Sequence, residues 1–150
     1  MAGNNTVNFN NKNGLGILSW NMNGMKTNYS IKCNELQTYI DNSSANIDII
    51  CIQETKLIKN QTPFKFKGYQ KPVYKNRLNA THPGGGVCIY VKNDITFKDT
   101  SKASVSDIEF ISRIFLEIQG NEHKVSIYNL YARCSRIHDD ETSLTRQIKT

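Results

Sequence analysis

Residues 47 to 52 read Ile-Asp-Ile-Ile-Cys-Ile, a nearly unbroken apolar run. A strand with one wet face alternates apolar and polar side chains, whereas one covered on both faces has no reason to, so this run predicts a strand buried on both sides. A second short apolar run, Leu15 to Trp20, lies upstream between Gly14 and Gly24 and also reads as a buried strand. From about Tyr29 to Ile40, the side chains of Cys33, Leu36, Tyr39 and Ile40 recur at three and four, which places them on one face of a helix. Asp41-Asn42-Ser43-Ser44 stops it. Strand, helix, strand predicts two parallel neighbours joined by a right-handed crossover. No other part of the chain constrains the fold as much, because it commits the chain to an α/β sheet with a covered face.

The remainder reads mostly as β. Phe66 to Tyr74, Gly86 to Val91, Ile108 to Ile118 and Val125 to Ala132 are rich in β-branched or aromatic residues. Asn121, beside Gly120, makes a hairpin tip between the last two, which should therefore pair antiparallel. Asp139 to Thr150 opens with cap-like acidic residues and carries Leu144 and Ile148 at helical spacing. Residues 1–13 are dominated by asparagine, with Val7 and Phe9 the sizeable apolar side chains, too little area to offset the entropy of ordering them, so a disordered tail is expected. Residues 14–150 then form one domain, in keeping with a chain of 150 residues.

Several function classes are disfavoured at once. Cys33, Cys51, Cys88 and Cys134 form no C-x-x-C pair and have no histidine at finger-like spacing, so neither a zinc site nor a disulfide framework is indicated. No apolar stretch approaches the roughly 20 residues of a membrane span, and no signal peptide is apparent, so an intracellular chain away from membranes is expected. The formal charge of +6 favours a polyanionic partner. The run Lys56, Lys59, Lys65, Lys67, Lys71, Lys75 and Arg77, interleaved with Phe64, Phe66, Tyr69 and Tyr74, would suit a surface that tracks a nucleic-acid backbone.

Candidate chemistry gathers at strand ends. Asn21 and Asn23 follow the first strand and Gln53-Glu54-Thr55-Lys56 follows the buried run, both just past the carboxyl ends of neighbouring parallel strands, where α/β sheets place ligands. Mg²⁺ is held by one or two carboxylates, waters and a substrate phosphate, an inventory that Asn21 with Glu54 would suit. Taken alone, Asn-Met-Asn-Gly is also a turn and Gln-Glu-Thr-Lys also a solvated loop. Gly84-Gly85-Gly86 lacks the Lys-Ser/Thr of a phosphate-binding P-loop and reads as a tight approach to a strand. Tyr131, at the end of the last long strand, could offer a phenolic hydrogen bond to phosphate or be a core aromatic. His82, His123 and His138 have no triad context.

Together, Trp20-Asn-Met-Asn-Gly24, Cys51-Ile-Gln-Glu-Thr-Lys-Leu57, Gly84-Gly-Gly-Val-Cys-Ile-Tyr-Val-Lys92 and Asn129-Leu-Tyr-Ala132, in this order and spacing, resemble the endonuclease/exonuclease/phosphatase superfamily. The combination of Gln-Glu-Thr-Lys-Leu with a Gly-Gly-Gly-Val strand looks most like the apurinic-type endonuclease domain of LINE-type, non-LTR retrotransposons. The resemblance spans about Leu15 to Tyr131. It implies a four-layer α/β sandwich, two β-sheets face to face with helices outside, and hydrolysis of a DNA phosphodiester dependent on Mg²⁺ (or Mn²⁺). Carried over, Asn21 and Glu54 match the metal-site amide and carboxylate, Tyr131 matches the active-site tyrosine that contacts the phosphate, and Asn23 stands beside the site where relatives carry Asn or Asp. The parent would be a retroelement polyprotein carrying reverse transcriptase and acting in the nucleus.

The departures set further expectations. Cys134 stands where relatives carry a substrate-contacting Asn, and the family's later Gly-Asp-x-Asn and Ser-Asp-His motifs do not occur before Thr150. The sequence therefore resembles the N-terminal part of such a domain, an incomplete sandwich without its C-terminal half. On this reading it has no full active site, and it should expose an apolar inner face and be marginally stable. Two further readings stay open: a non-catalytic nucleic-acid-binding remnant, and a phosphoesterase of the same superfamily acting on phospholipids or inositol phosphates.

Overall fold

The computed structural model describes residues 14–25, 30–77, 84–101, 111–120 and 123–132. They form β1 (Ile17–Asn21), α1 (Ile31–Asn42), β2 (Ile49–Gln53), β3 (Val73–Lys75), β4 (Val87–Val91), β5 (Phe97–Asp99), β6 (Ile111–Gln119) and β7 (Lys124–Ala132). One sheet has the order β1-β2-β4-β3 and the other β5-β6-β7. β1 and β2 are parallel, with Asn21 opposite Gln53. β4 runs antiparallel to β2, so Val87, its first residue, also lies opposite Gln53. The strand, helix, strand unit and the antiparallel β6–β7 pair are both as the sequence predicts.

α1 begins where Ser30 Oγ accepts from Cys33 N at 3.2 Å, satisfying a donor that the helix leaves unpaired. It buries Cys33 and Leu36 against a core that includes Ile50, Ile52, Cys88 and Tyr90, the outer face of the first sheet. The opposite face, Ile49, Cys51, Val87, Ile89 and Val91, packs on Ile114, Leu116, Ile118 and Ile127 of the second sheet. β2 is thus covered on both faces, the physical reason for its unbroken apolar run. Asp48, the polar interruption next to it, is buried and satisfied: Gly16 N donates to Oδ2 at 2.8 Å, and Asn46 Nδ2 lies 2.9 Å from both carboxylate oxygens.

β1 is an edge strand and not the buried strand that the sequence predicts: none of its five residues is buried, because β2 covers one side only. Ile17 remains 50% exposed on the side that β2 buries, the point among the described residues where the expected open inner face survives; elsewhere that face is covered by β6 and β7. No described helix lies over the outer face of the second sheet, where Phe115 and Tyr128 stack edge to face at 4.9 Å. The described layers are therefore helix, sheet, sheet, a mixed α/β sandwich. No described helix is long and apolar enough to cross a membrane.

Two further sequence expectations need correction. Phe66 to Tyr74 is strand only at its end, where Val73 and Tyr74 open β3: before that Gly68 takes φ 89, Tyr69 N closes a turn to Phe66 O at 3.3 Å, and a single bridge joins Tyr69 to Lys92. Pro72 has no N–H for a ladder, and the aromatic spacing serves packing instead, with Phe66 edge-on to Tyr90 at 4.8 Å. β5 is the second, unannounced because Phe97 is the sole large apolar residue of a three-residue edge strand. At the β6–β7 turn, Gly120 N donates to His123 O at 2.9 Å. Asn121, the asparagine-rich start and the expected helix at 139–150 lie outside the described residues.

Candidate active site

The strand directions bring the ends of β1 and β2 and the beginning of β4 to one rim. Past those ends the backbone stays bonded: Met22 N to Gln53 O at 3.0 Å, Gly24 N to Glu54 O at 2.7 Å and Met25 N to Thr55 O at 2.7 Å. On the other side, Thr55 N donates to Gly86 O at 3.1 Å and Lys56 N to Gly85 O at 2.9 Å. The segment 54–56 is therefore tied to both neighbours. Asn23, Glu54 and Lys56, at φ 50, 53 and 56, are the non-glycine residues with positive φ among those described, and all three sit on this rim. Left-handed backbone at such residues persists only where the surroundings over-determine it, as they do here.

Asn21 is exposed at the end of β1, and its Oδ1 accepts from Asn23 N at 3.2 Å, a turn closed by the side chain. Asn23 Oδ1 in turn accepts from Lys56 Nζ. Lys32 Nζ, at the start of α1, donates to Met22 O at 2.8 Å and to Asn23 O at 3.3 Å. Glu54 is half-exposed directly after β2. Tyr131 reaches the rim from the second sheet, and a β-carbon at Gly84 would lie 2.9 Å from its hydroxyl. The glycines at 84–86, at φ 95, 86 and 84, give the tight approach to β4 that the sequence predicts. Asn21, Asn23 and Glu54 thus share one rim, and Tyr131 meets the glycine loop bonded to it.

The remaining candidates stand apart from the rim or lie outside the described residues. His123 is exposed at the far end of β7, roughly 27 Å from Tyr131 at the rise of an extended strand. His82 and His138 lie outside the described residues. Burial pushes the Cys51 thiol up to about 11 and raises that of Cys88 as well, so neither is a poised nucleophile.

Sequence reasoning missed a basin beside Asn23. An open depression of about 740 Å³ is lined by Asn23, Lys32, Lys56 and Arg77, with Ile31 and Ile58 as apolar walls. The bonds that hold Lys32 and Lys56 run to neutral oxygens, so their charges are left to face whatever enters. Lys56 and Arg77 belong to the basic run noted in the sequence, but Lys32 comes from the helix, and no spacing rule joins it to them.

Among the described residues there is no cluster of three or more His, Cys, Asp or Glu side chains of the kind that holds a transition metal. The donors present are hard oxygens, the Glu54 carboxylate and the Asn21 carboxamide, whose Oδ1 keeps a second lone pair beyond the turn hydrogen bond. That set fits a cation such as Mg²⁺, which keeps several waters and takes few protein ligands.

The sequence model of the Endonuclease/Exonuclease/phosphatase family matches residues 18–147, most of the chain and all of the rim. No curated protein matches it.

Proposed function

Because this chain belongs to the endonuclease/exonuclease/phosphatase family, a family of metal-dependent phosphodiesterase- and phosphatase-type hydrolases, we propose that it acts on the phosphodiester backbone of DNA at the rim of β1, β2 and β4. The observation that carries this reading is the basin. Lys32 and Lys56 open directly beside Asn23 in a basin that Arg77 also lines, and a flanking phosphate would find there two lysine cations whose hydrogen bonds run to neutral oxygens. A substrate with a single phosphate would leave that charge unused.

Glu54 and Asn21 would hold Mg²⁺ or Mn²⁺. When bound, the cation supplies Lewis-acid polarisation of the phosphoryl group and neutralises charge on the leaving oxygen. Tyr131 would donate a hydrogen bond from its hydroxyl to a non-bridging phosphate oxygen, and Lys56, through Asn23, keeps the loop beside Asn21 in one conformation. Water attacks the phosphorus in line, the bond from phosphorus to the 3′ oxygen breaks, and the net passage of one proton from the water to that oxygen leaves a 3′-hydroxyl on one strand end and a 5′-phosphate on the other. Asn21, Glu54 and Tyr131 provide the metal corner and the phosphate grip; none of them takes the proton of the attacking water. Gln53-Glu54-Thr55-Lys56-Leu57 followed by the Gly84-Gly85-Gly86-Val87 strand favours the apurinic-type endonuclease branch of LINE-type retrotransposons.

The test is nicking of supercoiled plasmid, with and without Mg²⁺, by the chain joined to a C-terminal segment that carries the Gly-Asp-x-Asn and Ser-Asp-His motifs. The expected result is nicking abolished by chelation and reduced about 100-fold by Glu54→Gln, the size of effect typical of losing one transition-state electrostatic contact. Nicking that survives Glu54→Gln at saturating Mg²⁺ removes the assignment. Phosphate release from inositol phosphates without nicking moves it to another branch of the family.

A further inference from the structure

Glu54 and Tyr131 stand on different sheets, and apolar packing between sheets is non-directional, so it does not by itself fix how far one slides over the other. Asn129 supplies the missing direction. It is on β7, two residues before Tyr131, and is 3% exposed. Its Nδ2 donates to Ile52 O at 3.0 Å and to Cys88 O at 2.9 Å, one carbonyl on β2 and one on β4. Its Oδ1 accepts from Gln53 Nε2 at 2.7 Å. Two carbonyls can only accept, so the amide has one possible orientation, and that in turn obliges Gln53 to present its nitrogen. Gln53 Nε2 also lies 3.2 Å from Ser19 Oγ on β1.

One carboxamide of the second sheet thus reaches β2 and β4 directly and β1 through Gln53, the three strands that build the rim. The geometry also has a level. Ile52 lies two residues before Glu54, Cys88 two after Gly86 and Asn129 two before Tyr131, so the network sits about 6.6 Å below the mouth, one pleat repeat. A second tie stands at the mouth itself, where Gly86 N donates to Ser112 Oγ at 3.0 Å, Ser112 being the residue opposite Tyr131 in the β6–β7 register.

We propose that Asn129 is a positioning residue that sets the offset between the two sheets, and so the placement of Tyr131 relative to Glu54. The inference rests on reading these two as the reacting rim, but its test does not. Asn129→Leu keeps the branching of the side chain but is larger, strands Gln53 Nε2 and takes the donor from Ile52 O and Cys88 O, so it lowers the thermal midpoint; Gln53→Leu with Asn129→Leu relieves only the stranded Gln53. A residue that served stability alone would leave the Tyr131 surroundings unchanged in the folded double variant.

The decisive measurement is ¹⁹F NMR of the full chain with fluorotyrosine, the Tyr131 resonance being assigned by its loss in Tyr131→Phe, alongside kcat and KM for plasmid nicking. The double variant is expected to regain part of its midpoint while its Tyr131 resonance stays shifted or split. Its kcat should fall about tenfold or more with KM little changed, as misplacement of a reacting group produces. A folded double variant with a wild-type Tyr131 resonance and wild-type kcat overturns the proposal. Where the wild type nicks no DNA, as the missing later motifs lead one to expect, the Tyr131 resonance alone decides the positioning role. Asn129→Ser, which keeps one donor, is read the same way if the leucine pair does not fold: an unshifted resonance there overturns the proposal too.

Discussion

A β-carbon added at Gly86 would stand 2.2 Å from Thr55 Oγ1, on a backbone at φ 84. Thr55 is buried and bonded through its backbone to Gly86, so neither partner can yield cheaply. Gly86→Ala is expected to cost about 3 kcal/mol from left-handed strain plus overpacking. Gly14→Ala, also at positive φ but with nothing within 4 Å, should cost about 1 kcal/mol from the backbone alone. Urea unfolding midpoints of the two variants check this, and equal midpoints would refute the close-packing argument. The sequence pointed to a glycine-bound tight approach, but it held no sign that Thr55 was the atom in the way. Asn23, Glu54 and Lys56 teach the same lesson, since their left-handed backbone is imposed by hydrogen bonds to Gly24, Gly85 and their neighbours rather than by residue type.

At the scale of elements, legibility followed burial. β2 could be read because both of its faces are covered, and α1 because Cys33 and Leu36 line one side. Phe66 to Tyr74 was misread because alternation of aromatics also arises when a turn presents successive rings to one core, as Phe64, Phe66 and Tyr69 do around Tyr90. The start of α1 also carries a prediction. Ser30 is buried and caps Cys33 N, so Ser30→Ala should destabilise by about 1 kcal/mol. Because Ser30 also lines the basin, the same change should loosen the Lys32 side of it. A thermal midpoint unchanged by Ser30→Ala would mean that the helix is held by packing alone.

Two effects belong to the whole molecule. Burial holds Cys51 at about 11 against 9.0 for a free thiol, and holds Tyr69, helped by Asp48 and Asp41, at about 12 against 10.0. Both groups bind their protons more tightly folded than unfolded, so the associated stability is complete below the unfolded values and is lost as pH rises through the folded ones. Urea midpoints should therefore fall between about pH 9 and about pH 12, and a flat profile across that window would contradict the burial. The second effect is electrostatic. If Lys32, Lys56 and Arg77 each meet a phosphate, log K for DNA should fall with log salt at a slope of about −2.7. Lys32→Gln should reduce that slope by about 1 and weaken all DNA sequences alike. Binding that ignores salt would remove the basin from the DNA path.

The sequence by itself determined the local chemistry: that residues 47 to 52 hold a strand covered on both faces, that the first two strands are parallel and the last two antiparallel, and that amides and a carboxylate follow the strand ends. These are short-range consequences of burial and periodicity. Only the tertiary structure decided which groups meet. Lys32 from a helix joins Lys56 and Arg77 at one basin, and Asn129 from the second sheet ties β2 and β4 beneath the rim. Contacts such as Asn129 to Ile52, 77 residues apart, arise from how two sheets pack and turn over each other. Nothing in local periodicity encodes that angle, because apolar faces of similar pattern can pack in more than one register, and a few directional hydrogen bonds select among them.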